Sequence, residues 1–188
     1  MDKGIELKRQ VFHVVLGIIL VYLLYIGLLN LFLMFLLLLI GLVLSLISKK
    51  YELIFVRWFL RNFDRKGESL PGYGVLTYFL GCIIAIGLFS KEIALASILV
   101  LAFGDSFSHL GRFGRIKNPF SVVKFLEGTI LGIIAGTLAA RLFVSWEAAF
   151  FGSLVAMSFE GLELAILKKK IDDNLLIPIT AGLIMSML

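Results

Sequence analysis

A chain of 188 residues that is 60% hydrophobic, with a mean hydropathy of +1.03 and a net charge of +5, holds more apolar surface than a water-soluble domain can hide. Globular chains run at roughly 45–50% apolar. The length allows one domain, so the expectation is a single transmembrane catalytic domain over 1–188, with any chemistry built on helix ends and the loops between them.

In chain order, the first apolar run is Val11 to Leu29. It exceeds a signal-peptide core and no A-x-A-like site follows it, so it reads as a retained span. Neither an N-terminal myristoylation signal nor a C-terminal prenylation box is present. Leu31 to Ile47 follows after a tight turn near Asn30. Tyr51 to Phe63 then reads as an interfacial amphipathic helix: Ile54, Phe55, Trp58, Phe59 and Phe63 can share one face, with Arg57, Arg61 and Arg65 on another. Its bland role is an anchor, and the alternative is admission of a lipid.

Two spans are expected at Val75 to Phe89 and Ile93 to Phe103, hinged at Ser90-Lys91-Glu92. Three more follow at Thr129 to Phe143, Ala148 to Leu167 and Leu175 to Leu188. Several fall short of the roughly 20 residues a span needs. Such short segments often line a site. The lone cysteine, Cys82, lies inside an apolar run, which excludes a disulfide framework or a cysteine metal centre.

With the N-terminus in the cytoplasm, every basic residue except Lys91 and Arg141 falls on the cytoplasmic side. The positive-inside rule thus favours an all-α integral membrane protein of about seven transmembrane helices and one interfacial helix, N-in and C-out. The net charge then reflects topology and anionic lipid, with no need for nucleic acid as a partner. Gly128, Gly132 and Gly136 recur every four residues, a spacing that lets helices approach closely, within one chain or in a homodimer.

Ionisable groups in or beside spans are costly and are default site candidates. Asp105 ends the fourth expected span and Glu127 opens the fifth. Glu160 and Glu163 share a face of the sixth, and Asp172, Asp173 and Asn174 precede the seventh. Two carboxylates in an apolar helix require a cation, a partner or protons. On the first helix, Glu6, Arg9 and His13 form one stripe, although Glu6 with Arg9 also reads as an ordinary surface ion pair.

The segment from Gly104 to Gly128 combines Gly104, Gly111 and Gly114 with Arg112, Arg115, Lys117 and Lys124, flanked by Asp105 and Glu127. Close backbone approach, phosphate-neutralising cations and hard oxygen donors suited to Mg²⁺ point to a metal–polyphosphate site. A positive-inside loop with incidental glycines is the alternative. P-loop, dinucleotide, HExxH and G-x-S-x-G motifs are absent.

Four stretches together resemble one family. Glu6-Leu7-Lys8-Arg9 with His13 and Gly17 resembles the E-x-K-R-x-x-x-H-x-x-x-G opening of the polyprenol kinases, a group comprising dolichol kinase, phytol kinase and the CTP-dependent diacylglycerol kinases. Pro71-Gly72-Tyr73-Gly74 with Tyr78 and Gly81 is similar to the next element. Gly104-Asp105-Ser106 through Gly111, Gly114, Lys124, Glu127 and Gly128 is similar to the CTP-binding loop. Asp173-Asn174-Leu175 with Ile177-Pro178 and Gly182 resembles the D-N-x-x-I-P ending.

The resemblance implies transfer of the γ-phosphate of CTP, or another nucleoside triphosphate, to a polyprenol, an isoprenoid alcohol such as phytol, or diacylglycerol. Mg²⁺ would be held by Asp105 and Glu127, with Asp173 or Asn174 completing its shell. Lys124, Arg112, Arg115 and Lys117 would meet the phosphates beside Gly104, Gly111, Gly114 and Gly128, with Lys8 or Arg9 assisting. Glu160 or Glu163 would orient or deprotonate the alcohol, with His13 as the alternative base. The setting implied is a plasma membrane in a prokaryote or an ER-type membrane in a eukaryote, with the site on the cytoplasmic side. The loop is also similar to that of the CDP-lipid synthases, and a small transporter with midplane carboxylates is a further class.

Overall fold

The computed structural model describes residues 3–51, 53–63, 70–110, 116, 125–161, 165–166, 169–170 and 172–188. The first helix, α1, runs Lys3–Tyr25 and buries a stripe of Gln10, His13, Gly17, Leu20, Val21 and Leu24 at helical spacing. Helix α2, Leu31–Ser48, is capped by Asn30, whose side chain accepts the Leu33 N–H at 3.0 Å. Only Met34 and Ser45 of α2 are buried, so this helix presents apolar side chains almost all round. Ser45 ties it to the chain entering α4 by donating to the Pro71 carbonyl at 2.6 Å.

Helix α3, Ile54–Phe63, fits the expected amphipathic segment, but its apolar residues divide. Phe59 and Phe63 meet Phe12 of α1 with ring centroids 5.2 and 5.1 Å away, while Ile54 and Trp58 remain exposed. Helix α4 spans Tyr73–Leu88.

A continuous helical run follows, made of α5 (Lys91–Leu99), a π-helical segment (Val100–Asp105) and α6 (Ser106–Leu110). The sequence reading ended this span at Phe103; the helix carries on because the polar residues beyond are buried, not solvated. Asp105, Ser106 and His109 are all nearly inaccessible. The wider π turn, a feature frequent at functional sites, finishes on Asp105.

Helices α7 (Leu126–Ala140), α8 (Trp146–Gly161) and α9 (Asp173–Met185) complete the bundle. The expected span Ala148 to Leu167 is corrected here. Helix α8 is described as far as Gly161, and within the expected span Ala165–Ile166 (β1) pairs antiparallel with Lys169–Lys170 (β2). The fold is therefore helical apart from one two-residue ladder among the described residues.

Helix α9 packs on α8, α4 and α5, while α7 packs on α8 and the π segment. The glycine stripe of α7 is used within the chain: Gly132 faces Gly104 and Met157, and Gly136 faces Ser153 and Val100. By length and composition, Glu6–Tyr25, Leu31–Ser48 and Lys91–His109 are long and apolar enough to cross a membrane. Tyr73–Leu88, Leu126–Ala140 and Asp173–Met185 are apolar but shorter.

Candidate functional site

Three carboxylates from three elements converge at one end of the bundle. Asp105, Glu160 and Asp173 each offer one oxygen, and these oxygens lie within 4.8 Å of one another. Glu160 is fully buried near the end of α8, Asp105 is 6% exposed, and Asp173 is partly accessible. Gly104 accounts for the closeness of the π segment to its neighbours. A Cβ there would stand 2.7 Å from the Met157 sulfur and 3.4 Å from the Gly132 carbonyl, so only glycine lets α7 and α8 approach this near to Asp105.

Asp173 is placed by the capping of α9. The Asp172 side chain accepts the Asn174 N–H at 2.9 Å, which begins the helix one residue before Asp173. The helix dipole favours a carboxylate in this first turn. Asn174 is buried and donates through Nδ2 to the Gly74 carbonyl at 3.2 Å and to the Thr77 hydroxyl at 2.9 Å. It therefore fastens α9 to α4. Replacing Asn174 with alanine removes both hydrogen bonds between α9 and α4, and we expect thermal unfolding in detergent to register a loss of about 1–3 kcal/mol.

His109 stands four residues after Asp105, with Nε2 at 3.4 Å from Oδ1. That Oδ1 is buried and accepts no hydrogen bond among the described residues. An unsatisfied carboxylate oxygen beside two further carboxylates is the donor set a hard divalent cation takes. The residues present therefore fit such an ion.

The other residues named from the sequence fall out as follows. The Glu127 carboxylate receives the Ile116 N–H at 3.1 and 3.3 Å, and the Leu126 N–H donates to the Ile116 carbonyl at 3.0 Å, so this turn of α7 ties down the incoming chain. Glu127 is not one of the three clustered carboxylates. Arg9 is buried and bonds Glu6 at 2.6 Å, whereas Lys8 is exposed. His13 is buried, its ring edge-on to Tyr78 at 5.1 Å, and its backbone carbonyl accepts the Tyr78 hydroxyl at 3.4 Å. Gly104 and Gly128 are both buried. Gly111, Arg112, Gly114, Arg115, Lys117, Lys124 and Glu163 lie outside the described residues.

The sequence reading did not single out Gln10, Ser106 or His109. For His109 the available signal was its i+4 spacing from Asp105; for Gln10 it was the i+4 spacing from Glu6.

An apolar cavity of about 740 Å³ opens between α1 and α7 over the floor of the α5–π–α6 run. Ile18, Tyr22, Phe103, Phe107, Leu131 and Leu138 are among its walls, and Tyr25 and Phe143 meet at its far end with centroids 5.8 Å apart. Glu127, Leu131, Ile134 and Leu138 follow at helical spacing, so Glu127 continues the lining stripe of α7 toward the carboxylate end.

Fold and site thus define a helical membrane protein with a buried carboxylate cluster at one end and a large apolar cavity alongside. The chain is similar along 96% of its length to an uncharacterized protein of Methanocaldococcus jannaschii, with 27% identity over 93% of that protein. It is also similar to the CTP-dependent diacylglycerol kinase 1 of Saccharomyces cerevisiae, with 26% identity covering 96% of this chain and 72% of that protein. The protein of the same name from Eremothecium gossypii is 30% identical over 64% of this chain and 46% of its own length. Two of these similar proteins are thus CTP-dependent diacylglycerol kinases, members of the group that the chain's four sequence stretches resemble. No family model matches it, and no solved structure matches it.

Proposed function

We propose that this protein is a lipid kinase that transfers the γ-phosphate of CTP to the hydroxyl of a lipid alcohol at the cytoplasmic face of a membrane. The observation that carries the reading is the convergence of Asp105, Glu160 and Asp173 within 4.8 Å at one end of an apolar helix bundle. Homology to CTP-dependent kinases of a lipid supports the nucleotide and the acceptor class.

Asp105, Glu160 and Asp173 would hold Mg²⁺, which when bound neutralises charge on the transferring phosphoryl group. Asn174 keeps Asp173 in place through α4, and Glu127 anchors the chain leading to the cationic segment of Arg112, Arg115, Lys117 and Lys124. Those cations, with Lys8, meet phosphate oxygens, and Gly111 and Gly114 let the backbone approach. The alcohol oxygen forms a bond to the γ-phosphorus as the bridging P–O bond to the β-phosphate breaks, and CDP leaves. With Glu160 drawn into the cluster, His13 of α1 or Glu163 would accept the hydroxyl proton.

Seven spans, with the carboxylate end in the cytoplasm, are supported by charge. Lys8, Arg9, Lys49, Lys50 and Arg57 attach to helix ends on that side, whereas Lys91 and Arg141 mark the opposite one. The apolar cavity would take the lipid chain.

The reading is tested by CDP release from CTP, measured with purified protein, Mg²⁺ and a panel of lipid alcohols in detergent. Release that requires an alcohol supports it, and release indifferent to any alcohol counts against it. Leu138→Trp should narrow the cavity and lower kcat/KM for long-chain alcohols about tenfold, while short ones change little. Equal loss for both would remove the cavity from the account.

A further inference from the structure

Gln10 belongs to no motif described above, yet it is 4% exposed at the carboxylate end of α1. Its Nε2 donates to Glu6 Oε1 at 2.6 Å, and the same oxygen takes the Arg9 guanidinium at 2.6 Å. A carboxylate only accepts, so the amide cannot turn over without setting two oxygens against each other. The orientation of Gln10 is thereby fixed, with Oε1 directed away from Glu6. That Oε1 is buried and meets no hydrogen-bond donor among the described residues.

The neighbourhood supplies a second such atom. The Ser106 hydroxyl donates to the Gln10 backbone carbonyl at 3.3 Å, which brings this turn of α1 beside the residue that follows Asp105. Asp105 Oδ1 is also buried and accepts no hydrogen bond. A second unmet acceptor thus stands on the residue next to Ser106, the residue that bonds the Gln10 carbonyl. Folding does not leave buried acceptors bare without cause, and a bound ligand, ion or ordered water is what meets them.

We propose that Gln10 is a binding residue whose side-chain oxygen accepts a hydrogen bond from a donor group on a substrate. The ligand chemistry is restricted by the fixed amide. Phosphate oxygens at neutral pH are acceptors, so Gln10 does not read the polyphosphate. It reads an O–H or N–H group, which the proposed reaction provides in two places: the hydroxyl of the lipid alcohol and the exocyclic amine of the cytosine ring. The inference rests on the lipid-kinase reading for its ligands, while its geometry stands independently.

The test compares wild type with Gln10→Leu and Gln10→Met, using affinities for CTP and UTP by calorimetry with Mg²⁺, binding of a lipid alcohol by native mass spectrometry, and steady-state kinetics. A cytosine contact predicts that CTP binding weakens about 10- to 100-fold and the CTP-over-UTP preference collapses. A hydroxyl contact predicts that KM for the alcohol rises by that factor, with nucleotide affinities unchanged. Either result supports the assignment and names the source. All parameters within twofold of wild type would mean that Oε1 holds a structural water only. Failure of both variants to fold would assign the amide to packing, and either outcome overturns the inference. Binding affected by Gln10→Leu without turnover on any alcohol would sink the kinase reading alone.

Discussion

Asp105→Asn should lower γ-phosphate transfer by about 10²–10³-fold while leaving a folded protein that is no less stable without metal. The two effects have one origin. Asp105, Glu160 and Asp173 bring carboxylate oxygens within 4.8 Å of one another. Two unit charges at that distance repel by about 3 kcal/mol at an effective dielectric of 20. Asparagine keeps the shape, removes one charge and, at an Oδ1 that accepts no hydrogen bond among the described residues, gives up only the 3.4 Å approach of His109 Nε2.

Thermal unfolding in EDTA should therefore begin at the same temperature or higher than for wild type. Added Mg²⁺ should raise the wild-type midpoint and raise that of the variant much less, because ligand stabilisation follows affinity for the folded state. Near-normal transfer by Asp105→Asn would show that the metal assignment is wrong. A folded variant destabilised in EDTA would show that the three carboxylates are not mutually repelling.

Gly81→Ala should be the most damaging conservative change outside the carboxylates. An added Cβ on α4 would overlap the Asn174 backbone carbonyl and come within 3.3 Å of Pro178. The obstacle is backbone in the first turn of α9, so it cannot rotate aside. Helix α9 must shift, and Asp173 shifts with it. Overpacking of this kind costs about 1–3 kcal/mol, and misplacing a reacting group by about 1 Å can cost 10²-fold in rate.

The expected result is a lower unfolding temperature together with transfer reduced by one to two orders of magnitude. Gly87→Ala is the matched control: it sits on the same helix with nothing within 4 Å of its would-be Cβ. It should be neutral or stabilising by up to about 1 kcal/mol. If both variants behave alike, the α4–α9 contact does not position the site.

Helix positions were legible because hydropathy reports where apolar runs lie. Each expected span has a helix at its centre, from Lys3–Tyr25 to Asp173–Met185. Two ends were misplaced. The polar string Asp105-Ser106-Phe107-Ser108-His109 stays helical because its polar members are sheltered by α1 and α7. The apolar residues Ala165 and Ile166 fall in a short strand, because hydropathy alone does not separate a helical apolar run from an extended one.

At the site, Asp105, Glu160 and Asp173 were each marked by the cost of a carboxylate near an apolar run. Their grouping was not legible. Proximity in the chain paired Asp105 with Glu127, whereas the fold brings Asp105 to Glu160 and Asp173 through the Gly104–Met157 and Asn174–Thr77 contacts. Gln10 was invisible for a different reason. A glutamine four residues after a glutamate on a partly polar helix looks like surface until its neighbours are known.

The most direct test of lipid-alcohol phosphorylation follows two labels at once. Purified protein in detergent with Mg²⁺ is given CTP labelled at either the γ or the α phosphate, together with a lipid alcohol and phosphatidic acid. The account predicts that the γ label appears on the alcohol and that the α label stays with the nucleotide. Transfer of the α label to the acidic lipid, with none of the γ label on any alcohol, would contradict it and make the protein a cytidylyltransferase.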